Sequence, residues 1–287
     1  MQSTKPNVYD IVTERILAQI DKGCAPWKRP WGTGNAESPR NIHSGKAYRG
    51  VNVWLLVGAP SPWWGTYKQV ADHGGNVRKG EHGTPIVFWN FLERENPKGD
   101  KERIPCPRYY TVFNASQCDG LVLPSSERIA EFVPVLSADA IVDGYQGKPP
   151  VQYGGDRACY SPARDLVCMP VREAFDSPAS YYATLFHEYG HSTGHISRLK
   201  REGVTKAVNF ASHTYGKEEL IAELCSSFLC GQAGIEPTTL ENSASYLAHW
   251  RDVIKADNKL FMQAASAAQK AADLILGKVA EHEEGAK

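Results

Sequence analysis

The first periodic stretch of apolar residues predicts an amphipathic helix over residues 8–22. Its apolar side chains recur three and four residues apart, at Val8, Ile11, Val12, Ile16, Leu17 and Ile20. Asn7 is suited to cap the first turn, and Gly23 stands where a helix commonly ends in glycine. Residues 24–50 follow, and their many proline, glycine, asparagine and serine residues predict a long loop.

The next segments mix short helices and strands. Residues 51–57 are an apolar run that fits either a buried strand or a short helix, since periodicity does not separate the two. Thr66 and Gln69 form a capping-box pattern, which predicts a short helix ending at the glycines 74 and 75. Aromatic and β-branched residues predict two antiparallel strands, at 85–91 and 108–113, with a polar insert at 94–103 as an exposed hairpin tip.

Helical patterns dominate the second half of the chain. Residues 124–150 read as an interdomain region with a short amphipathic piece at 125–132, and residues 153–160 and 165–169 predict a hairpin. Ser177 and Pro178 are suited to begin a helix that runs to about residue 196. Further helices are predicted over residues 217–230, 243–255 and 257–281.

These elements predict an α+β protein of two domains, as suits a chain of 287 residues. We expect an α+β domain over residues 1–125, an interdomain region over 126–150, and a mostly helical domain with a small sheet over 151–287.

Composition narrows the class of protein. With 42% hydrophobic and 22% charged residues, the chain is neither disordered nor fibrous. No apolar run reaches the roughly 18–20 residues of a membrane span, so we expect no membrane association. The start of the chain has no apolar leader pattern, and the seven cysteines form no CxxC pair. A cytoplasmic protein with reduced thiols is the simplest interpretation.

The formal net charge of zero hides an asymmetry between the two halves. Residues 1–130 carry 17 basic and 12 acidic side chains, whereas residues 131–287 carry 15 and 20. A modestly basic first half is a weak indication of an anionic partner.

The strongest chemical motif is His187-Glu188-Tyr189-Gly190-His191, an HExxH pattern within the helix predicted from residue 177. Its two imidazoles lie one turn apart on the same helix face, where both can bind one metal ion. Glu188 is rotated by about 100° from His187, so it can act as a general base without being a ligand.

A third ligand is needed, because catalytic zinc sites commonly use three protein ligands. His195 continues the same helix face but lies too far along it to converge on one ion. We choose Glu219 of the next helix as ligand and Glu223, one turn on, as the carboxylate that orients an imidazole; the reverse assignment stays open. Glu218 is expected to point away, and Tyr215 is a candidate proton donor to a developing oxyanion.

This ligand set indicates metal-assisted hydrolysis, most often of a peptide bond. Bound zinc lowers the pKa of its water to about 7 and polarises a carbonyl. Zinc is therefore the expected cofactor, with another divalent ion such as Mn²⁺ as the alternative. The strands at 153–169 could bind a substrate peptide as an added strand.

Aromatic and basic residues are interleaved early in the chain, as in proteins that stack unpaired bases and contact phosphates. The candidate nucleic-acid contacts are Trp27, Lys28, Arg29, Trp31, Arg40, Lys46, Tyr48, Arg49, Tyr67, Lys68, Arg78 and Lys79. For each aromatic residue alone, packing in a small core is the competing interpretation. No helix-turn-helix or zinc-finger pattern is evident, which favours a single strand over a duplex.

Several segments in order resemble the ArdC-type antirestriction proteins and their TraC-like relatives. The N-terminal matches lie at residues 44–52, 66–69, 75–85 and 110–114, and the C-terminal ones at 187–195, 197–199, 215–223 and 265–273. Ser192 departs from the pattern, since an aromatic residue is common there.

The resemblance implies an N-terminal domain that binds single-stranded DNA non-specifically and a C-terminal zincin-like metallopeptidase domain, with metal ligands at His187, His191 and on the Glu219 helix. It implies protection of an incoming single-stranded plasmid from host restriction endonucleases. An active protease acting on DNA-bound proteins and a binding module with a purely structural metal stay open as alternatives. The endonuclease itself is a candidate partner.

Overall fold

The computed structural model describes residues 7–23, 25–28, 38–95, 101–123, 134–206, 212–235 and 244–278. Several predictions fall outside these residues: those for Arg29 and Trp31, the amphipathic piece at 125–132 and the tip of the polar insert. The backbone of Lys28 is described but its side chain is not.

Short helices pack around the start of the chain. Helix α1 spans Val8–Ile20, and the Asn7 side chain accepts a hydrogen bond from the Asp10 N–H at 3.0 Å, which confirms the predicted cap. A 3-10 turn at Pro26–Lys28 interrupts the predicted loop. The ambiguous apolar run forms helix α2, Val51–Leu56, and α3 spans Tyr67–Asp72 behind the predicted capping box.

A four-stranded sheet forms the body of the N-terminal half. Its strands are β1 (Arg40–Asn41), β2 (Trp63–Gly65), β4 (Thr84–Glu95) and β5 (Lys101–Asn114), in the order β1-β2-β5-β4. Strands β4 and β5 are antiparallel as predicted, with Ile86 opposite Tyr110, but both extend into the polar insert. A separate two-stranded ribbon pairs β3 (Asn76–Val77) with β6 (Cys118–Asp119).

The C-terminal half is mostly helical around a small sheet. Its elements are α4 (Pro134–Gly144), β7 (Val151–Tyr153), β8 (Cys159–Ser161), β9 (Leu166–Met169), α5 (Pro178–Ser192), α6 (Glu202–Thr205), α7 (His213–Ala233), α8 (Ala244–Ala256) and α9 (Leu260–Ile275). In the small sheet, β9 lies between a parallel β7 and an antiparallel β8. The hairpin is confirmed for β8 and β9, but its first strand is shorter than the predicted 153–160, and β8 is an edge strand.

Two helix ends differ from the prediction, and one helix was not predicted, for local reasons. Helix α5 ends at Ser192, four residues early, where the Thr193 and Ser192 hydroxyls bond to carbonyls of the preceding turn. Helix α9 ends at Ile275 because Gly277 adopts a positive φ of 64°. Helix α4 was not predicted, because it lies between a proline and the Gly144–Pro150 cluster that reads as a linker.

One hydrophobic cluster crosses from the N-terminal to the C-terminal half. Apolar residues of α1 and α2 share it with α5, α7 and α9, and the Trp54 ring lies 4.9 Å from that of Phe228 on α7. The two-domain architecture is therefore held together by a continuous core. No helix within the described ranges combines the length and apolar character needed to cross a bilayer.

Candidate metal centre

Helices α5 and α7 lie unusually close at the metal-site motif. The Ser177 hydroxyl accepts from the Ser180 N–H at 3.1 Å and fixes the start of α5, as predicted. One position before His191, a Cβ added at Gly190 would lie 3.1 Å from Cα of Ala222 on α7. A side chain at position 190 would push the helices apart, so glycine permits the close approach that brings donors from both helices together.

The two histidines and one glutamate of the prediction converge on one point. The Nε2 atoms of His187 and His191 are 3.1 Å apart, and Oε2 of Glu219 lies 3.5 Å and 3.6 Å from them. A tetrahedral metal with bonds of about 2.0–2.2 Å has donor–donor edges of about 3.3–3.6 Å. Both edges to Glu219 fall in this range and the edge between the histidines is slightly shorter, so the triangle needs only a small adjustment to hold one small divalent cation. Among the described residues, this group of His, Cys, Asp or Glu is the one close enough to hold a metal.

A buried carboxylate orients one of these imidazoles. His191 Nδ1 lies 3.3 Å from Oε1 of Glu218, so its N–H donates there and Nε2 is free to carry a lone pair towards the triangle. Arg201 donates to both carboxylate oxygens of Glu218, at 2.6 Å and 2.9 Å. Because position 218 is rotated about 100° around the helix from position 219, Glu218 orients the His191 imidazole while Glu219 faces the metal site.

The supporting residue differs from the one predicted. The expectation that Glu218 points away was wrong, because Glu218 is the carboxylate beside His191 Nδ1. Glu223 instead contacts Tyr246, where burial and this carboxylate raise the pKa of the Tyr246 phenol. Arg201 was missed altogether, because its position in a turn ten residues after His191 gives no spacing signal.

Charge accumulates at the triangle in a way that suits a cation. Burial opposes the imidazolium form of His191, but hydrogen bonds and charge from Glu218 and Glu219 outweigh it and raise the His191 pKa to about 10. Burial likewise opposes ionisation of Glu219, yet the two histidines hold its pKa well below the usual range. Carboxylates that attract a proton so strongly also favour a metal ion in its place.

Glu188 and Tyr215 lie at the same site without joining the triangle. Glu188 is buried and outside the three-donor group. Tyr215 is hydrogen-bonded to Glu219, and burial together with the Glu219 charge raises the pKa of its phenol to about 12. The Glu188 charge helps to raise the pKa of Tyr215 and of Cys159 on the edge strand β8, so this carboxylate lies near both groups.

Two of the predicted nucleic-acid contacts are buried in the core. Trp27 is 1% exposed, packs on Phe261 and Trp250, and donates its indole N–H to Tyr246 at 2.9 Å. Tyr48 is 8% exposed and its hydroxyl accepts from Asn41. The prediction that these rings stack bases was wrong, because alternation of aromatic and basic residues does not reveal which side chains face inward.

The other predicted contacts whose side chains the structure describes fall into a paired group and an exposed group. Arg49 is ion-paired with Asp273 of α9, Arg40 donates to the Gly45 carbonyl, and Arg78 binds Glu81 and Asp119. The exposed group comprises Lys46, Tyr67, Lys68 and Lys79.

Exposed aromatic residues missed by the sequence analysis lie on strand β5. Tyr109 and Tyr110 are 51% and 39% exposed, and Arg108 beside them is also exposed. Tyr67 is 59% exposed and lies edge-on to Phe113 of the same strand, at 6.3 Å between ring centroids. The strand was predicted, but its solvent-facing residues could be identified only once its neighbours were known.

Comparison with known families assigns both halves. Residues 137–267 match the family described as zincin-like metallopeptidase, and residues 6–113 match the N-terminal domain of anti-restriction factor ArdC. The C-terminal half, with its paired histidines and glutamate, is thus a zincin-like metallopeptidase domain.

Whole-chain relatives carry the assignment further. Crystal structures of the antirestriction protein ArdC from plasmid R388 are similar to this chain: the metal-free form is 38% identical, with 94% of this chain and 97% of that chain covered and a TM-score of 0.73. The Mn(II)-bound form is 37% identical, with 95% of this chain and 98% of that chain covered and a TM-score of 0.75. Protein y4eC of Sinorhizobium fredii is 36% identical over 94% of this chain and 92% of its own length. The chain belongs to the ArdC-type antirestriction protein family.

Another relative is much longer. A DNA primase TraC of Escherichia coli is 36% identical over 96% of this chain. The chain spans only 20% of that primase's length, and 28% of a second TraC sequence.

Proposed function

We propose that this chain is an antirestriction protein that binds single-stranded DNA without sequence specificity and protects incoming plasmid DNA from host restriction endonucleases. One observation carries the proposal: both domains match ArdC in order, over 97% of the metal-free ArdC chain at 38% identity. Its expected place of action is the cytoplasm, where an incoming strand meets the endonuclease.

The proposed DNA surface combines the exposed aromatics with nearby cations. Tyr67 and Tyr109 offer ring faces to unpaired bases, and Lys68 and Arg108, their neighbours in the chain, are exposed cations for phosphates. Arg49 and Arg78 are already paired with carboxylates, so they contribute less. This adds strand β5 to the contacts already expected on α3, and the predictions for Arg29 and Trp31 lie outside the described residues.

The proposed cofactor is zinc, held by His187, His191 and Glu219, with Mn²⁺ as the alternative that the Mn(II)-bound ArdC structure supports. A bound divalent ion would polarise a carbonyl and acidify a water molecule. Within this chain, the Glu188 carboxylate would accept a proton, and the Tyr215 phenol, with its pKa of about 12, would keep its own proton available for donation.

Glu188→Gln separates binding from catalysis. The variant removes the base but leaves the three donors intact, so metal content should be unchanged. We expect it to bind single-stranded DNA normally and still protect DNA in a restriction-cleavage assay, which makes protection a consequence of covering the strand.

Other outcomes favour the alternatives. Loss of protection by Glu188→Gln with unchanged DNA affinity would favour a metalloprotease that acts on the endonuclease or on other DNA-bound proteins. A structural metal would be favoured by a different pair of results. Glu188→Gln would still protect DNA, whereas His187→Ala would unfold and no longer protect it. Absence of DNA binding by the wild-type chain would overturn the proposal.

A further inference from the structure

Two free cysteines face each other across the small sheet. Cys159 of the edge strand β8 is paired in register with Cys168 of β9. Directly opposed residues of antiparallel strands have Cα atoms about 4.5 or 5.5 Å apart, and disulfides span about 4.4–6.8 Å. The Cys168 side chain is close enough to help raise the pKa of the Cys159 thiol, so a covalent bond requires little backbone movement.

The surroundings of the pair suit thiol–disulfide exchange. Cys159 is exposed and Cys168 is half-buried, so a small disulfide reagent reaches Cys159 first. Arg164, in the turn between the strands, donates from its guanidinium to Sγ of Cys168 at 3.6 Å. This contact places a positive charge beside the sulfur that must attack second. Burial, Cys168 and Glu188 raise the pKa of the Cys159 thiol, so the first attack should become faster as the pH rises and more of the thiolate forms.

We propose that Cys159 and Cys168 form a reversible redox site that takes a low-molecular-weight disulfide, such as glutathione disulfide, as its oxidant. The Cys159 thiolate attacks one sulfur of the reagent, its S–S bond breaks, and one glutathione thiolate leaves and takes up a proton. The Cys168 thiolate then attacks the Cys159 sulfur and releases the second glutathione. Two protein thiols are oxidised and one glutathione disulfide is reduced to two glutathiones.

The site is placed where a cross-link has a local consequence. Strand β8 is the open edge of its sheet and lies beside Glu188, whose carboxylate contributes to the field at Cys159. A disulfide would tie this edge to β9 and suppress its opening. The metal donors lie on α5 and α7, so the cross-link should leave metal content unchanged.

Peptide mapping of the full-length protein tests the proposal. Arg157, Arg164 and Arg172 are trypsin sites, so the two cysteines fall in separate peptides, 158–164 and 165–172. After equilibration with glutathione disulfide and alkylation, we expect these peptides to be joined, to separate on reduction, and to be joined equally in Cys118→Ser. Cys159→Ser should abolish the joined species, and Arg164→Gln should slow its formation.

Hydrogen exchange gives a second readout that needs no variant. The amides of β8 should exchange more slowly in the oxidised protein than in the reduced one. The proposal would be overturned if the two peptides were recovered separately after full oxidation, with each cysteine either alkylated or carrying its own glutathione. So would a Cys168 disulfide with any cysteine other than Cys159.

Discussion

The HExxH segment of α5 and the aromatic segment around Trp27 both suggested a functional site, but the structure supports the prediction only for the first. In the first, the spacing on one helix dictates that His187 and His191 share a face, and their Nε2 atoms lie 3.1 Å apart. In the second, composition alone suggested exposure, and Trp27 proved to be 1% exposed. Spacing within a regular element fixes geometry, whereas the residue content of an irregular segment does not.

The largest effect is expected at the metal triangle. His187→Ala removes one of three donors, so we expect the purified variant to hold no stoichiometric divalent metal, measured by elemental analysis against wild type. His213→Ala is the matched control: His213 lies at the start of α7, 57% exposed, and pairs with Asp257 instead. Equal metal content in wild type and His187→Ala would show that His187 is not a metal ligand.

Trp27→Ala tests the other side of the comparison. Removing a fully buried indole should lower the free energy of unfolding by about 3–5 kcal/mol, measured by urea denaturation. We expect the effect on DNA affinity, measured on folded protein, to be small. A variant of wild-type stability that loses DNA binding would restore the stacking role and contradict the burial.

Glu218→Gln sharpens the account of how His191 is oriented. The neutral amide keeps the size of the side chain but weakens the bond from His191 Nδ1, so metal affinity should fall by about 10–100-fold in a calorimetric titration. Glu223→Gln is the control on the same helix, since Glu223 contacts Tyr246 and lies outside the three-donor group. Equal losses in the two variants would show that general charge, and not this hydrogen bond, sets the affinity.

The smallest effect is expected at the DNA surface. Tyr67→Ala should cost about 1–3 kcal/mol in affinity for single-stranded DNA, because one stacking ring is lost. Because Tyr67 is 59% exposed, stability should change by less than about 0.5 kcal/mol. Fluorescence anisotropy with an oligonucleotide checks the first value, and unchanged affinity in Tyr67→Ala and Tyr109→Ala together would remove this surface.

Much of the C-terminal domain follows from sequence because its elements are long and periodic. The Ser177 cap, the helix it begins and the arrival of Glu219 were all predictable from residue type and spacing. The role of Glu218 was not, because it depends on Arg201, which reaches the site through a turn rather than along a helix. Helix α4 was missed for a similar reason: it is short and bounded by residues that signal loops.

The continuous hydrophobic core makes the two halves depend on each other for stability. Separate family models cover the two halves, yet Trp54 of the first packs on Phe228 of the second, and Trp27 is enclosed by α8 and α9 residues. Cutting the chain between the two halves would expose an apolar surface on each fragment, which should make both fragments prone to aggregation. The alignments with the much longer TraC primases include 96% of this chain, so those proteins too contain both halves together.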